Sequence, residues 1–123
     1  MSDDDDDRFP SPDGRYCVRR GAHEMRMSHW VFPGALWDAR AERLLVALGD
    51  SLWSTEQVTW APDGSRVTVD LRRYPGDAPS LLVDLDPERR LAIAHPPANT
   101  APVPFEALGA FLERFYHEHR RPA

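Results

Sequence analysis

Two segments, Ser11-Pro12-Asp13-Gly14-Arg15 and Ala61-Pro62-Asp63-Gly64-Ser65, carry the same turn chemistry 50 positions apart. Proline presets φ at the first turn position, aspartate caps the turn through its side chain, and glycine takes the positive φ that closes it. Each copy stands before a strand-like run, so the chain is directed towards antiparallel hairpins. Around the second copy the pairing register follows from the side chains. Val58 and Trp60 precede the turn on one face; Val67, Val69 and Leu71 follow it at the same spacing. A four-residue loop, residues 62–65, pairs Ala61 with Arg66 and Trp60 with Val67, which puts all five apolar side chains on one side. A three-residue loop slips the pairing by one and sets Trp60 against Arg66. The longer loop is therefore predicted, with Thr59, Thr68, Asp70 and Arg72 facing solvent.

The remaining segments extend this pattern. Arg15 to Arg20 reads as a strand. His23 to Phe32 alternates throughout, which predicts one strand with Trp30 on the same face as Glu24, Arg26 and Ser28. Pro33-Gly34 breaks it. Residues 35–38 and 43–48 predict a hairpin, Gly49-Asp50 a second break, and residues 80–86 and 90–95 a last hairpin. An extended, proline-rich stretch leads to a helix over residues 105–119. Phe105, Leu108, Leu112 and Phe115 form its apolar stripe, with Phe111 alongside. The expected fold is α+β: an antiparallel meander of about six to eight strands with one C-terminal helix packed on the sheet. Residues 12–121 form the expected single domain. Residues 1–11 lack any apolar period and contain five adjacent aspartates, which predicts a disordered acidic arm.

The two Pro-Asp-Gly turns also resemble the blade repeat of TolB-type β-propellers, where Ser-Pro-Asp-Gly-Arg opens a strand of alternating apolar residues. Trp60 to Val69 follows that pattern; the first copy departs from it at Arg19, where an apolar residue belongs. The resemblance implies blade-like hairpins. It does not imply a closed propeller, which needs roughly four or more blades, and a chain of 123 residues holds material for two. The words Glu24-Met25-Arg26-Met27-Ser28-His29-Trp30, Asp50-Ser51-Leu52-Trp53-Ser54 and Arg72-Arg73-Tyr74-Pro75-Gly76-Asp77 resemble small uncharacterised bacterial proteins.

Charge narrows the function classes. Asp3 to Asp7 supply the whole net charge of −5, because the other 15 acidic residues balance 15 arginines. With no general basic field, nucleic acid is not an expected partner. No apolar run is long enough for a membrane span. The acidic start is unlike a secretory signal, and the one cysteine, Cys17, suits a reducing compartment, so a cytoplasmic location is expected. Arginine to the exclusion of lysine fits a GC-rich bacterial genome.

No enzyme motif stands out. His117 and His119 lie two apart on the predicted helix and point in different directions. His23 and His29 are too far apart along a strand to share an ion. No metal or cofactor site is expected. The positive signal is aromatic. Trp30 shares a face with polar residues, Trp53 sits at a turn beside Asp50 and Ser54, and Arg72, Arg73 and Tyr74 follow one another, a composition typical of binding hot spots. Asp3, Asp4, Asp5, Asp6 and Asp7 would steer a basic partner. The expected function is a non-catalytic protein-binding module, a bacterial immunity protein that neutralises a toxin by direct binding and is monomeric before the complex forms. The alternative is a small hydrolase or ligand-binding enzyme in which two of His23, His29 and His95 meet Asp70 or Asp84.

Overall fold

The hairpin read from the second turn forms in the expected register in the computed structural model, which describes residues 7–25 and 29–121. Eleven strand segments precede the helix among these residues: β1 (Asp7–Pro10), β2 (Tyr16–Arg20), β3 (His23–Glu24), β4 (Trp30–Val31), β5 (Gly34–Asp38), β6 (Arg43–Ala47), β7 (Trp53–Trp60), β8 (Val67–Arg73), β9 (Leu81–Asp86), β10 (Leu91–Ala94) and β11 (Val103–Pro104). A 3-10 turn, Phe105–Ala107, leads into α1 (Leu108–His119). In the β7–β8 hairpin Trp60 faces Val67, Thr59 faces Thr68 and Val58 faces Val69. The Ala61 N–H donates to the Arg66 carbonyl at 2.9 Å, so the loop is residues 62–65.

The repeated turns close as their chemistry dictates. Gly14 and Gly64 have φ of 75° and 74°, a region that costs glycine nothing. The Asp13 carboxylate accepts from the Arg15 N–H at 3.0 Å, and that of Asp63 from the Ser65 N–H at 3.0 Å. These N–H donors, with the Ser11 and Ser65 hydroxyls, hold both carboxyls below the usual range. The turns belong to different sheets yet lie side by side: a Cβ on Gly64 would stand 3.5 Å from the Pro12 ring.

The meander is divided into two antiparallel sheets, ordered β1-β2-β5-β6 and β11-β10-β9-β8-β7. Alternation along β8 and β9 puts Val67, Val69, Leu71, Leu81, Val83 and Leu85 inward, all at most 1% exposed, each stabilising the fold by roughly 1.5–3 kcal/mol. Val18, Leu36 and Val46 from the four-stranded sheet join the same core, as do Leu108, Leu112, Phe115 and Tyr116 of α1. The helical stripe is therefore buried as its period predicts, with Tyr116 added. Val58 and Trp60 lie partly buried at its margin.

Two expectations are corrected. The segment from His23 does not run as one strand. β3 and β4 pair with each other as a ribbon outside both sheets, with His23 opposite Val31 and Glu24 opposite Trp30. The Gly21 N–H donates to the Pro33 carbonyl at 2.9 Å and closes the base of this excursion. Alternation records two faces but not which strand is the neighbour. Arg26, Met27 and Ser28 lie outside the described residues. The expected disordered arm over residues 1–11 is also corrected at its end, because β1 pairs along β2, with Asp7 opposite Arg20 and Phe9 opposite Val18. Asp3, Asp4, Asp5 and Asp6 lie outside the described residues.

Arg20 locks the two sheets together. Its guanidinium donates to the carbonyls of Thr55 (2.6 Å) and Glu56 (3.2 Å) in β7 and pairs with Asp7 at 2.9 Å. It also lies over the rings of Phe9 and Phe32, 5.2 and 4.8 Å from their centroids, an arrangement that favours a cation.

Candidate protein-interaction site

Four of the residues singled out in the sequence meet in one place. Trp30 and its neighbour His29, from the β3–β4 ribbon, face Arg72, Arg73 and Tyr74 at the end of β8 across a cleft of about 280 Å³. Ser54 and Glu56 of β7 form its floor. Trp30 is 52% exposed. An indole with that much surface in water contributes little to the core, and its apolar area remains available for contact.

The walls are positioned from beneath. The His29 and Tyr74 rings meet edge-on at 5.9 Å. The Arg73 guanidinium lies 4.0 Å above the Tyr116 ring, with Nε 3.7 Å from Glu113 Oε2, and donates to the Tyr74 carbonyl at 3.1 Å. Tyr116 in turn donates its hydroxyl to Asp77 at 2.9 Å. Arg73 is thus a strut between β8 and α1 more than a free hand. Arg72 is different. Its guanidinium lies against Gly76, and no carboxylate among the described residues pairs with it. The Ser54 hydroxyl donates to the Glu56 carboxylate and accepts from the Phe32 N–H at 2.9 Å. Glu56 stands two positions after Ser54, and so on the same face of β7, at the bulge between the pairs Thr55–Leu71 and Gln57–Asp70, where it lines the cleft.

Trp53 does not belong to this surface. It is 1% exposed and donates its indole N–H to Glu113 at 3.0 Å. Its polar neighbours Asp50 and Ser54 suggest a turn in water, but the bare face of Gly49 and the side chain of Glu113, 60 positions away, enclose the ring. Asp7 is paired with Arg20 in β1 and is no part of a free arm.

Ser54 and Glu56 escaped the sequence reading, and His29 entered it only as a candidate for a histidine site. Trp30 and the Arg72-Arg73-Tyr74 run pointed here; nothing near Ser54 marks it as lining a cleft made by segments 20 or more residues distant on each side.

Burial holds the carboxyl of Asp70, behind the cleft on β8, above the usual range, and Glu56 adds to the rise. Its Oδ1 is enclosed without a hydrogen-bond partner. The histidines expected to converge take separate positions. His95 Nε2 lies 3.1 Å from Asp84 Oδ2, and the Thr68 hydroxyl donates to the other oxygen of Asp84 at 2.6 Å. His29 packs on Tyr74 instead, and His23 sits in β3. Among the described residues no three histidines, cysteines or carboxylates gather in a way that could hold a metal ion, and no helix is long and apolar enough to cross a membrane.

Comparison with protein-family models, with curated proteins and with solved structures finds no match. The class to which the fold and cleft point is an α+β protein of two antiparallel sheets with an aromatic, arginine-bearing surface.

Proposed function

We propose that the chain is a protein-binding module whose contact surface is the Trp30–Tyr74 cleft, and that it serves as an immunity protein, neutralising a bacterial toxin by occluding it. The observation that carries the reading is the exposed indole of Trp30 beside Tyr74 and Arg72, which pairs with no carboxylate among the described residues; these are side-chain types that dominate binding energy at interfaces. The rigid network below, from Arg73 through Glu113 and Tyr116 to α1, supports it, because preorganised anchors lose little entropy on association. Four aspartates, Asp3 to Asp6, stand directly before β1 and suit a cationic toxin. Co-expression with candidate toxins from the source organism tests the role by rescue of growth. On the complex so identified, Trp30→Ala is expected to speed dissociation at least tenfold with the fold intact. Unchanged dissociation from a correctly folded variant refutes the surface.

A second reading has one observation in its favour, the His95–Asp84 pair held by Thr68. Asp84 fixes the imidazole through Nε2 and leaves Nδ1 as a base for hydrolysis. Esterase or phosphodiesterase activity lost in His95→Ala carries that reading; no activity on either substrate class sinks it.

A further inference from the structure

Resting on the cleft as the contact surface, we infer that this surface continues beyond it, across the outer face of the five-stranded sheet to Leu82 and Ile93, and that its occupant is a partner protein presenting an apolar, uncharged surface. Size is the first reason. A stable complex takes about 20–30 residues from each partner, over about 800 Å², and ten residues line the cleft. Such a complex must reach further, and the fold gives the direction. Ser54 and Arg72, in the cleft, oppose each other on the side of β7 and β8 that faces away from the core. Strand alternation carries the same side to Asp70 and Thr68, which pair with Leu82 and Asp84 of β9. Asp84 pairs in turn with Ile93 of β10. Leu82 and Ile93 are thus diagonal neighbours, close enough for their side chains to form one patch. They are 43% and 39% exposed. Among the described residues four large apolar side chains are exposed, and these two share one sheet face with the cleft that holds the third, Trp30.

Patterning is the second reason. Leu81-Leu82-Val83 and Leu91-Ala92-Ile93-Ala94 are apolar on both faces. A strand with one face in water alternates with polar residues, whereas runs of this kind belong to strands covered on both sides. Leu81, Val83, Ala92 and Ala94 are covered by the core, at most 2% exposed; Leu82 and Ile93 await a cover. Charge selects the kind of partner. Asp84, beside both, accepts from the Thr68 hydroxyl at 2.6 Å and lies 3.1 Å from His95 Nε2 and 3.9 Å from Arg66 Nη1. Asp86 lies 3.9 Å from Arg89 Nε, and Asp70 has Ser80 and Arg72 beside it. Because each of these carboxylates is served within the chain, an apolar surface displaces water here without leaving a charge unpaired. A highly charged partner would have to break the pairs.

The test is selection of short random peptides, displayed on phage, against the full chain, followed by the affinity of the survivors for single variants. Survivors with apolar, uncharged centres are expected. Leu82→Thr and Ile93→Thr are each expected to weaken them about 5- to 20-fold, the loss of a buried apolar contact at an interface. Leu44→Thr, at a similarly exposed leucine on the other sheet, is expected to leave them within about twofold. Threonine is a strand former, so circular dichroism is expected to show the fold intact. Added salt is expected to change affinity by less than about twofold, because no exposed charge pair carries it. On the toxin complex found by growth rescue, the same two threonine variants are expected to speed dissociation to a similar degree. Survivors indifferent to Leu82→Thr and Ile93→Thr, survivors dominated by one sign of charge, or no survivors overturn the inference. So does a concentration-dependent dimer in sedimentation that Leu82→Thr dissolves, because the occupant is then a second copy. Survivors lost on Leu82→Thr and Ile93→Thr but indifferent to Trp30→Ala support the sheet face and refute the cleft. Survivors lost on Trp30→Ala alone support the cleft and refute its extension.

Discussion

Replacing Trp53 by alanine separates the burial found in the structure from the exposure that its sequence neighbours suggest. Trp53 is almost wholly enclosed, and its ring rests on the backbone of Gly49. Truncating a buried tryptophan to alanine costs about 3–5 kcal/mol, through lost transfer energy and the cavity left behind. The indole N–H to Glu113 adds little, because the Glu113 side chain is 40% exposed and water replaces the lost donor. Packing therefore dominates, and about 4 kcal/mol is expected. For a chain of this length that lowers Tm by about 15 °C; with a slope of about 2 kcal/mol per M the urea midpoint falls by about 2 M. Circular dichroism in urea and on heating measures both. Because total stability is about 5–15 kcal/mol, Trp53→Phe provides a milder variant, expected to lose about 1–2 kcal/mol. A loss below about 0.5 kcal/mol for Trp53→Ala, the range of ordinary surface substitutions, refutes the burial and with it the network that positions Arg73 and Tyr74.

Two further outcomes test the same physics elsewhere. Gly49→Ala places a Cβ within 2.4–2.6 Å of three Trp53 atoms at φ +91°, whereas Gly14→Ala meets nothing within 4 Å at φ +75°. Thermal denaturation is expected to show Gly49→Ala as the worse by about 1–3 kcal/mol, the cost of overpacking; equal losses contradict the packing of Trp53 on Gly49. Asp70→Asn is expected to raise Tm at neutral pH. Burial lifts the folded-state pKa of Asp70 above its ordinary 3.8, so the charged form opposes folding at pH 7, and the penalty is relieved as pH falls through the raised value. The gain in Tm is thus expected to shrink on acidification, and a pH-independent effect argues against a desolvated carboxyl.

Part of the candidate site was legible because its residues are chemically distinctive where they stand. Trp30 on a polar face and Arg72-Arg73-Tyr74 before a proline turn announce a surface, and all four line the cleft. Glu56 gave no such sign. It shares a face of β7 with Ser54 and lines the cleft only because the ribbon and the end of β8 come together there. Trp53 misled for a related reason: polarity of neighbours along the chain says nothing about Gly49 and Glu113 closing over the ring.

Sequence alone determined the Pro-Asp-Gly reversals, the Trp60–Val67 register and the buried stripe of the terminal helix. Each depends on residues within a few positions of one another, through φ preference, a period of two, or a period of 3.6. Tertiary structure decided that residues around His23 fold back as a ribbon, that Asp7–Pro10 joins β2, that the strands divide into two sheets, and that segments near positions 30, 55 and 73 enclose one cleft. Those outcomes depend on which distant surfaces bury each other, and burial is a property of the assembled core that no local pattern contains.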